Sequence, residues 1–237
     1  MALERTDDPA LALAWAEERL GAGNPVAFLL APRRFGFIER TPEGLALTLT
    51  GDEWFGACFG TRPPLRDEWR RCAVSASSFG DHLLSLARVD EWDFFTRRVA
   101  SGGAAAPADE LHDDDAVARF LEAYAPHSAV WPGHHEVVAW YGASDAHGLV
   151  AVAALVRWES GYHVVSSVAT RTDARGRGYG ARLMDGVAAA ALERGVEWLG
   201  LGVAHDNEPA HRLYRATGFE LRAAFTSYGA HAHAGPH

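Results

Sequence analysis

The chain has 237 residues, 48% apolar and 22% charged, which is enough apolar material for one large domain or two small ones. Its net charge is −9 and lysine is absent, so every basic residue is arginine; that balance excludes a protein built around a basic nucleic-acid-binding face. No run of about eighteen or more apolar residues occurs, which excludes a membrane-spanning helix, and the opening Met1-Ala2-Leu3-Glu4-Arg5 lacks a signal-peptide pattern. Two cysteines, Cys58 and Cys72, are too few for a disulfide framework and form no C-x-x-C pair, so the expected setting is a reducing cytoplasm.

Along the chain, Asp8 as cap, Pro9 in the first helical position and Gly21 and Gly23 as stops predict a helix ending near Leu20. Two short apolar runs, 25–30 and 45–49, read as strands, the second supported by alternation at Leu45, Leu47 and Leu49. Trp54, Phe55, Phe59, Trp69, Trp92, Phe94 and Phe95 read as core aromatics. The small, uncharged stretch 101–108, punctuated by Gly and Pro, reads as a linker. It divides the chain into an N-terminal α/β domain over 1–100, a linker over 101–109, and a second domain over 110–237.

In the second domain Asp113 or a neighbour caps a helix whose apolar stripe is Val117, Phe120, Leu121 and Tyr124. Strands follow at 137–141, 149–158 and 162–170, the last two joined by a tight turn at Ser160-Gly161. A helix over about 178–194 places Leu183, Met184, Val187, Ala188 and Ala191 on one face, and Gly195 ends it. A strand at 196–203, a helix opened by Pro209 and stopped by Gly218, and a strand from Phe219 complete the order.

The chemistry concentrates where the third of these strands hands over to its helix. Gly176, Gly178 and Gly180 let backbone approach an anion closely, and a helix N-terminus offers converging N–H groups and a favourable dipole. Arg171, Arg175, Arg177 and Arg182 cluster there within an otherwise acidic domain. Three readings compete: a glycine-rich turn with no ligand, a dinucleotide fingerprint, and an anion site of the kind a family resemblance suggests. Gly176-x-Gly178-x-x-Ala181 formally matches the dinucleotide pattern, but polar residues 171–175 separate it from its strand. A Walker loop needs a lysine, and there is none.

Val168-Ala169-Thr170 followed by Arg175-Gly176-Arg177-Gly178-Tyr179-Gly180 resembles the Q/R-x-x-G-x-G/A signature of the GCN5-related N-acetyltransferase (GNAT) family. Asn207-x-x-Ala210-x-x-Leu213-Tyr214-x-x-x-Gly218-Phe219 is similar to that family's second signature, at the expected distance. The resemblance covers about residues 110–229. It implies a mixed, mostly antiparallel sheet flanked by helices, preceded by an α/β domain that could be a degenerate copy of the same fold. It also implies acetyl-CoA as donor and a primary amine on a small molecule as acceptor. Neither cysteine lies near the signatures, so direct attack in a ternary complex is expected, and the charge, the apolar runs and the histidine spacing predict no nucleic-acid, membrane or metal partner.

By the same resemblance, backbone of Val168, Ala169 and Thr170 would hold the pantetheine arm and thioester carbonyl. Amides from Gly176 to Gly180, with Arg175 and Arg177 at the edge and Tyr179 within the loop, would hold the pyrophosphate. Asn207 would reach the pantetheine or cap the following helix, and the Tyr214 hydroxyl would point at the sulfur. Where some members carry a glutamate base this chain has Val164, and His163, Glu159, His205 and Glu136 are neighbours in sequence with none singled out. Trp131, Trp140, Tyr141 and Trp158 are candidate walls of the acceptor site. The His134-His135 pair lacks ligand spacing, and His231, His233 and His237 form a polar tail. Two rival readings are a non-catalytic coenzyme A sensor and an acyltransferase for longer chains.

Overall fold

The computed structural model describes residues 3–75, 86–99 and 105–229. They fall into two compact units, each a mixed, mostly antiparallel sheet with helices. The first holds the described residues up to Phe94, together with Ala204–Asp206 and those from Leu221 on; the second holds those from Phe95 to Val203 and Asn207–Glu220. Strand β6, Ala87–Arg98, runs through both.

In the first unit, β1 (Glu4–Thr6), α1 (Pro9–Leu20) and α2 (Pro25–Leu29) precede β2 (Phe35–Arg40), β3 (Gly44–Leu49), β4 (Phe55–Gly60) and β5 (Arg71–Ser75). β1, β2, β3 and β4 pair antiparallel in that order, β5 joins β4 in parallel, and β12 (Glu220–Gly229) adds antiparallel to β5. Every residue of β3 is buried, so Ala46 and Thr48 lie inside as well as the alternating leucines. Thr48 is satisfied there because its hydroxyl accepts a hydrogen bond from the buried Trp69 indole at 3.2 Å. Cys58 and Cys72 are buried free thiols in the same cluster.

The second unit repeats this order. β7 (Asp109–Leu111), α3 (Asp114–Tyr124), β8 (Val137–Asp145), β9 (Gly148–Arg157) and β10 (His163–Thr170) lead through helix α4 (Tyr179–Glu193) to β11 (Trp198–Ala204) and α5 (Glu208–Ala216). β7 to β10 pair antiparallel in turn, and β11 joins β10 in parallel. The α4 stripe read from the sequence (Leu183, Met184, Val187, Ala188, Ala191) is buried against Tyr141, Ala153, Leu155 and Leu201. Each such large apolar side chain stabilises the fold by roughly 1.5–3 kcal/mol relative to exposure.

Asp8 caps α1 by accepting from the Ala10 amide at 2.9 Å, and Asp113 caps α3 by accepting from Ala116 at 2.9 Å, both as the residue types required. The strand expected at 25–30 is instead helix α2. Asn24 caps it by accepting from Ala27 N at 3.2 Å, and Pro25 supplies the preset φ of a first helical turn, so local capping outweighs the apolar run. The linker stretch 101–104 and the histidine tail 231–237 lie outside the described residues. Among the described residues no helix is long and apolar enough to cross a membrane.

Gly186 marks where α4 meets the chain entering the second unit: its carbonyl accepts from Ala108 N at 3.1 Å, and a Cβ there would lie 2.8 Å from that nitrogen. Helix propensity favours Gly186→Ala by about 1 kcal/mol, whereas overpacking against backbone costs about 1–3 kcal/mol. The expected outcome is a lower melting temperature for Gly186→Ala in a thermal unfolding scan. An unchanged or raised value would show that the segment at Ala108 yields.

Candidate functional site

β10 carries one extra residue relative to β9. The register runs Ser166↔Ala154 and resumes at Ala169↔Val152, so Ser167 and Val168 together face Ala153. Ser167 sits at φ 51, the one non-glycine positive φ among the described residues. On its other edge β10 pairs with β11 at His163↔Leu199 and Val164↔Gly200, and among the described residues the parallel register ends there. From Val165 to Thr170 the β10 edge is therefore open towards β11. Backbone N–H and C=O groups in such half-buried surroundings need partners. An extended ligand arm with its own amides meets that requirement, and Val168, Ala169 and Thr170 line this stretch.

The strand then turns into the glycine loop. Thr172–Ala174 form one 3-10 turn, Gly176 follows at φ 74, and Gly178 at φ 80 is the N-cap of α4. A Cβ on Gly176 would meet nothing within 4 Å, so its requirement is the backbone angle rather than space. Gly178 has no side chain to cap the helix, which leaves the first-turn amides available to an anion. Gly180 serves approach: a Cβ there would lie 3.4 Å from Thr170 Oγ1 and 3.4 Å from Leu213 Cδ2. The end of β10, the start of α4 and the middle of α5 thus converge on one place.

The four arginines divide into two kinds. Arg171 is clamped between Asp145 at 2.6 Å and Asp173 at 2.7 Å, which raises its own pKa and holds both carboxyls below the usual carboxylate range. Its charge is thereby matched, so the cluster read from the sequence loses one member to a structural role. Arg175 donates to Thr170 O at 3.2 Å, and Arg182 donates to Arg177 O at 3.4 Å while covering the Tyr179 ring at 4.6 Å. Among the described residues no carboxylate ion-pairs with Arg175, Arg177 or Arg182. Net positive potential is left at the uncapped helix start.

Asn207 is the N-cap of α5, its Oδ1 accepting from Ala210 N at 3.2 Å, and its side chain is exposed. Tyr214 is 7% exposed and packs between Phe95 at 6.2 Å and Phe219 at 6.1 Å. Burial pushes its phenol up to about 12, so it is a neutral O–H throughout the physiological range.

Val164 is buried core, as its apolar side chain dictates. His163 lies at the end of β10 that is still paired with β11, and burial with Arg157 and Arg194 nearby lowers its pKa. His205 belongs to the first unit, where the buried Asp93 carboxylate holds its Nδ1 at 3.1 Å and raises its pKa. Glu136 donates its backbone N–H to His134 Nδ1 at 3.3 Å, and Glu159 is exposed.

The four aromatics named for an acceptor wall do not share one face. Trp140 and Tyr141 are consecutive on β8 and so point to opposite sides. Tyr141 enters the core under α4, while Trp140 buries an Nε1 for which the described residues provide no hydrogen-bond partner. Trp131 is half-buried and donates to Ser128 O at 3.0 Å. Sequence reasoning missed Ser167: no local signal marks a serine inside a strand for a left-handed angle. Among the described residues no group of three or more His, Cys, Asp or Glu side chains could hold a metal.

Residues 90–219 match the model of the Acetyltransferase (GNAT) family. Among solved structures the chain is similar to a GCN5-related N-acetyltransferase from Kribbella flavida (16% identity, 93% of this chain and 95% of that one, TM-score 0.53). It is also similar to one from Sphaerobacter thermophilus (15%, 95% and 94%, TM-score 0.54) and to a GNAT-family acetyltransferase from Colwellia psychrerythraea (10%, 96% and 99%, TM-score 0.54). At these identities the likeness is one of fold. Among curated proteins none matches the chain. The family match spans more than half of the sequence, and this protein is a member of the GNAT acetyltransferase family.

Proposed function

We propose that the protein transfers an acetyl group from acetyl-CoA to a primary amine on a small molecule, by direct attack while both are bound. The observation that carries this reading is the open β10 edge from Val165 to Thr170 leading straight into an uncapped, arginine-flanked helix start. Such a groove has an amide-matching arm at one end and an anion cradle at the other, which are the two chemistries of pantetheine and pyrophosphate. The donor supplies an activated thioester carbonyl. The chain's part is to hold it and to meet charge as it develops.

In this reading Val168 and Thr170 offer backbone hydrogen bonds to the arm and the carbonyl oxygen, where a fixed N–H is worth most as negative charge grows. The amides of Gly176 to Gly180 take the pyrophosphate, with Arg175 and Arg177 beside it. Asn207 keeps Oδ1 on its own helix and has N–H groups to give. Tyr214 donates its proton towards the departing sulfur as a neutral phenol. Direct attack is favoured over a covalent acyl-enzyme because both cysteines are buried in the first unit with raised pKa values, Cys72 to about 12. One observation favours the rival coenzyme A sensor: a valine stands where a glutamate base would. Binding of acetyl-CoA without thiol release against a panel of amines would select the sensor.

Gly178→Asp places a carboxylate at the anion cradle, at φ 80 where any side chain is strained; Gly178→Asn carries the same strain without the charge. Both variants should lower the melting temperature, and calorimetry should show coenzyme A affinity reduced about tenfold or more, a loss of about 1.4 kcal/mol or more, in the aspartate variant relative to the asparagine one. Unchanged affinity would remove the loop from the binding site.

Tyr214→Phe preserves the ring packing and removes the proton. Turnover should fall by about a hundredfold, with thioester affinity nearly constant. In the parent protein Tyr214 should add no alkaline limb to the rate profile below about pH 11, because its folded pKa lies near 12. Equal turnover in the phenylalanine variant would take Tyr214 out of the mechanism.

A further inference from the structure

We infer that Ser167 is a positioning residue: its hydroxyl clasps the backbone of Val130 and so locks the β10 bulge to the segment between α3 and β8. The inference rests on the acyl-transfer reading above, since it concerns how the bulge beside Val168 is held in shape.

The geometry is specific. Ser167 Oγ donates to Val130 O at 2.9 Å and lies 3.3 Å from Val130 N, whose N–H it accepts. One hydroxyl therefore satisfies both backbone groups of a residue that is itself buried. In a regular strand a neighbouring backbone would do this. Here β10 does it with a side chain, at the residue where its own backbone leaves the β region.

That coincidence explains why a serine is found at φ 51 rather than a glycine. Glycine adopts this angle freely but has no hydroxyl to offer. Serine accepts the less favourable angle, and the two bonds to Val130 oppose its relaxation. Returning Ser167 to an extended angle would carry the hydroxyl away from Val130 and at the same time move Val168, the next residue. The orientation of the Val168 backbone is thus tied to the position of Val130.

Val130 is in turn held from the far side. Ala125 O, at the end of α3, accepts from both the backbone and the hydroxyl of Ser128, at 3.0 and 2.8 Å, and Ser128 O accepts from the Trp131 indole at 3.0 Å. The segment is pinned at the C-terminus of α3 by Ser128 and at the bulge by Ser167, with Trp131 directly after the clasped residue. A ligand that displaces Trp131 acts on the bulge through a single peptide unit. Ser167 therefore links the part of the chain beside Trp131 to the backbone that meets the thioester.

Two substitutions separate the hydroxyl from the backbone angle. Ser167→Ala removes the clasp and keeps the unfavourable angle; Ser167→Gly removes the clasp and relieves the angle. Both variants should lose about tenfold or more in kcat with coenzyme A affinity within about threefold, and both should raise the amine KM. In both, the Val130 amide should exchange with solvent faster than in the parent protein, which a hydrogen-exchange measurement reads without any substrate.

A glycine variant with parental kcat would overturn the inference, because the angle alone would then suffice. Parental Val130 exchange in both variants would overturn it equally. If the parent protein itself turned over no amine, the acyl-transfer reading would fail on its own, and Val130 exchange would still decide whether the clasp exists.

Discussion

The parting of β10 from β11 after Val164↔Gly200 is the constraint on which the rest of the second unit depends. Two parallel strands that stay together satisfy each other's backbone. Two that separate leave polar groups in a half-buried slot, and those groups must be met by something else. The remaining features of the site follow from where that slot ends. The bulge at Ser167 and Val168 changes the aim of the β10 edge. The glycines turn the chain so that α4 starts at the slot's mouth, and Gly180 admits Thr170 and Leu213 to close approach. The α4 core stripe then fixes the helix axis, so its amide-bearing end cannot drift from the strand it serves.

Charge is arranged by the same logic. A protein of net charge −9 can attract a polyanion only through local asymmetry. The asymmetry here comes from uneven pairing rather than from arginine number. Arg171 is neutralised by two aspartates and stiffens the turn between strand and loop, while among the described residues no carboxylate ion-pairs with Arg175, Arg177 or Arg182. Arg182 and Arg175 hydrogen-bond to backbone carbonyls in their own neighbourhood, so their positions are defined before any ligand arrives. Preorganised cations near an uncapped helix start are worth more than the same charges on mobile stems.

Much of this was legible in the sequence wherever local physics decides the outcome. The caps Asp8 and Asp113, the α4 stripe and strands β8 to β11 are set by patterns within about ten residues and stand close to where those patterns place them, whereas the three-residue β7 falls at the stretch read as linker. The apolar run of helix α2 gives no period, and the cap at Asn24 decides its form. Of the two carboxylates that match Arg171, Asp173 is two residues away and legible in the sequence, while Asp145 is distant and is not. Trp140 and Tyr141 could have been separated from the alternation of a strand alone. Ser167 could not, since its angle is imposed by a bulge and by Val130, neither of which leaves a local signal.

The first unit shows how much the slot depends on that one separation. Its strands follow the same order as the second unit's, edge strand, helices, three antiparallel strands and a parallel one, which makes it a topological repeat. Yet β4 and β5 remain paired from Phe55↔Arg71 to Cys58↔Val74, and no strand bulge interrupts them. The crossover between them carries Trp69, whose buried indole lies over Gly56 so closely that a Cβ there would sit 2.4 Å from the ring. The aromatic ring thus covers a face of β4 at Gly56, and its one polar atom is satisfied internally by Thr48. The same topology thus pairs its two parallel strands over four positions in one unit and over two in the other. The difference lies in whether two parallel strands complete their own hydrogen bonds.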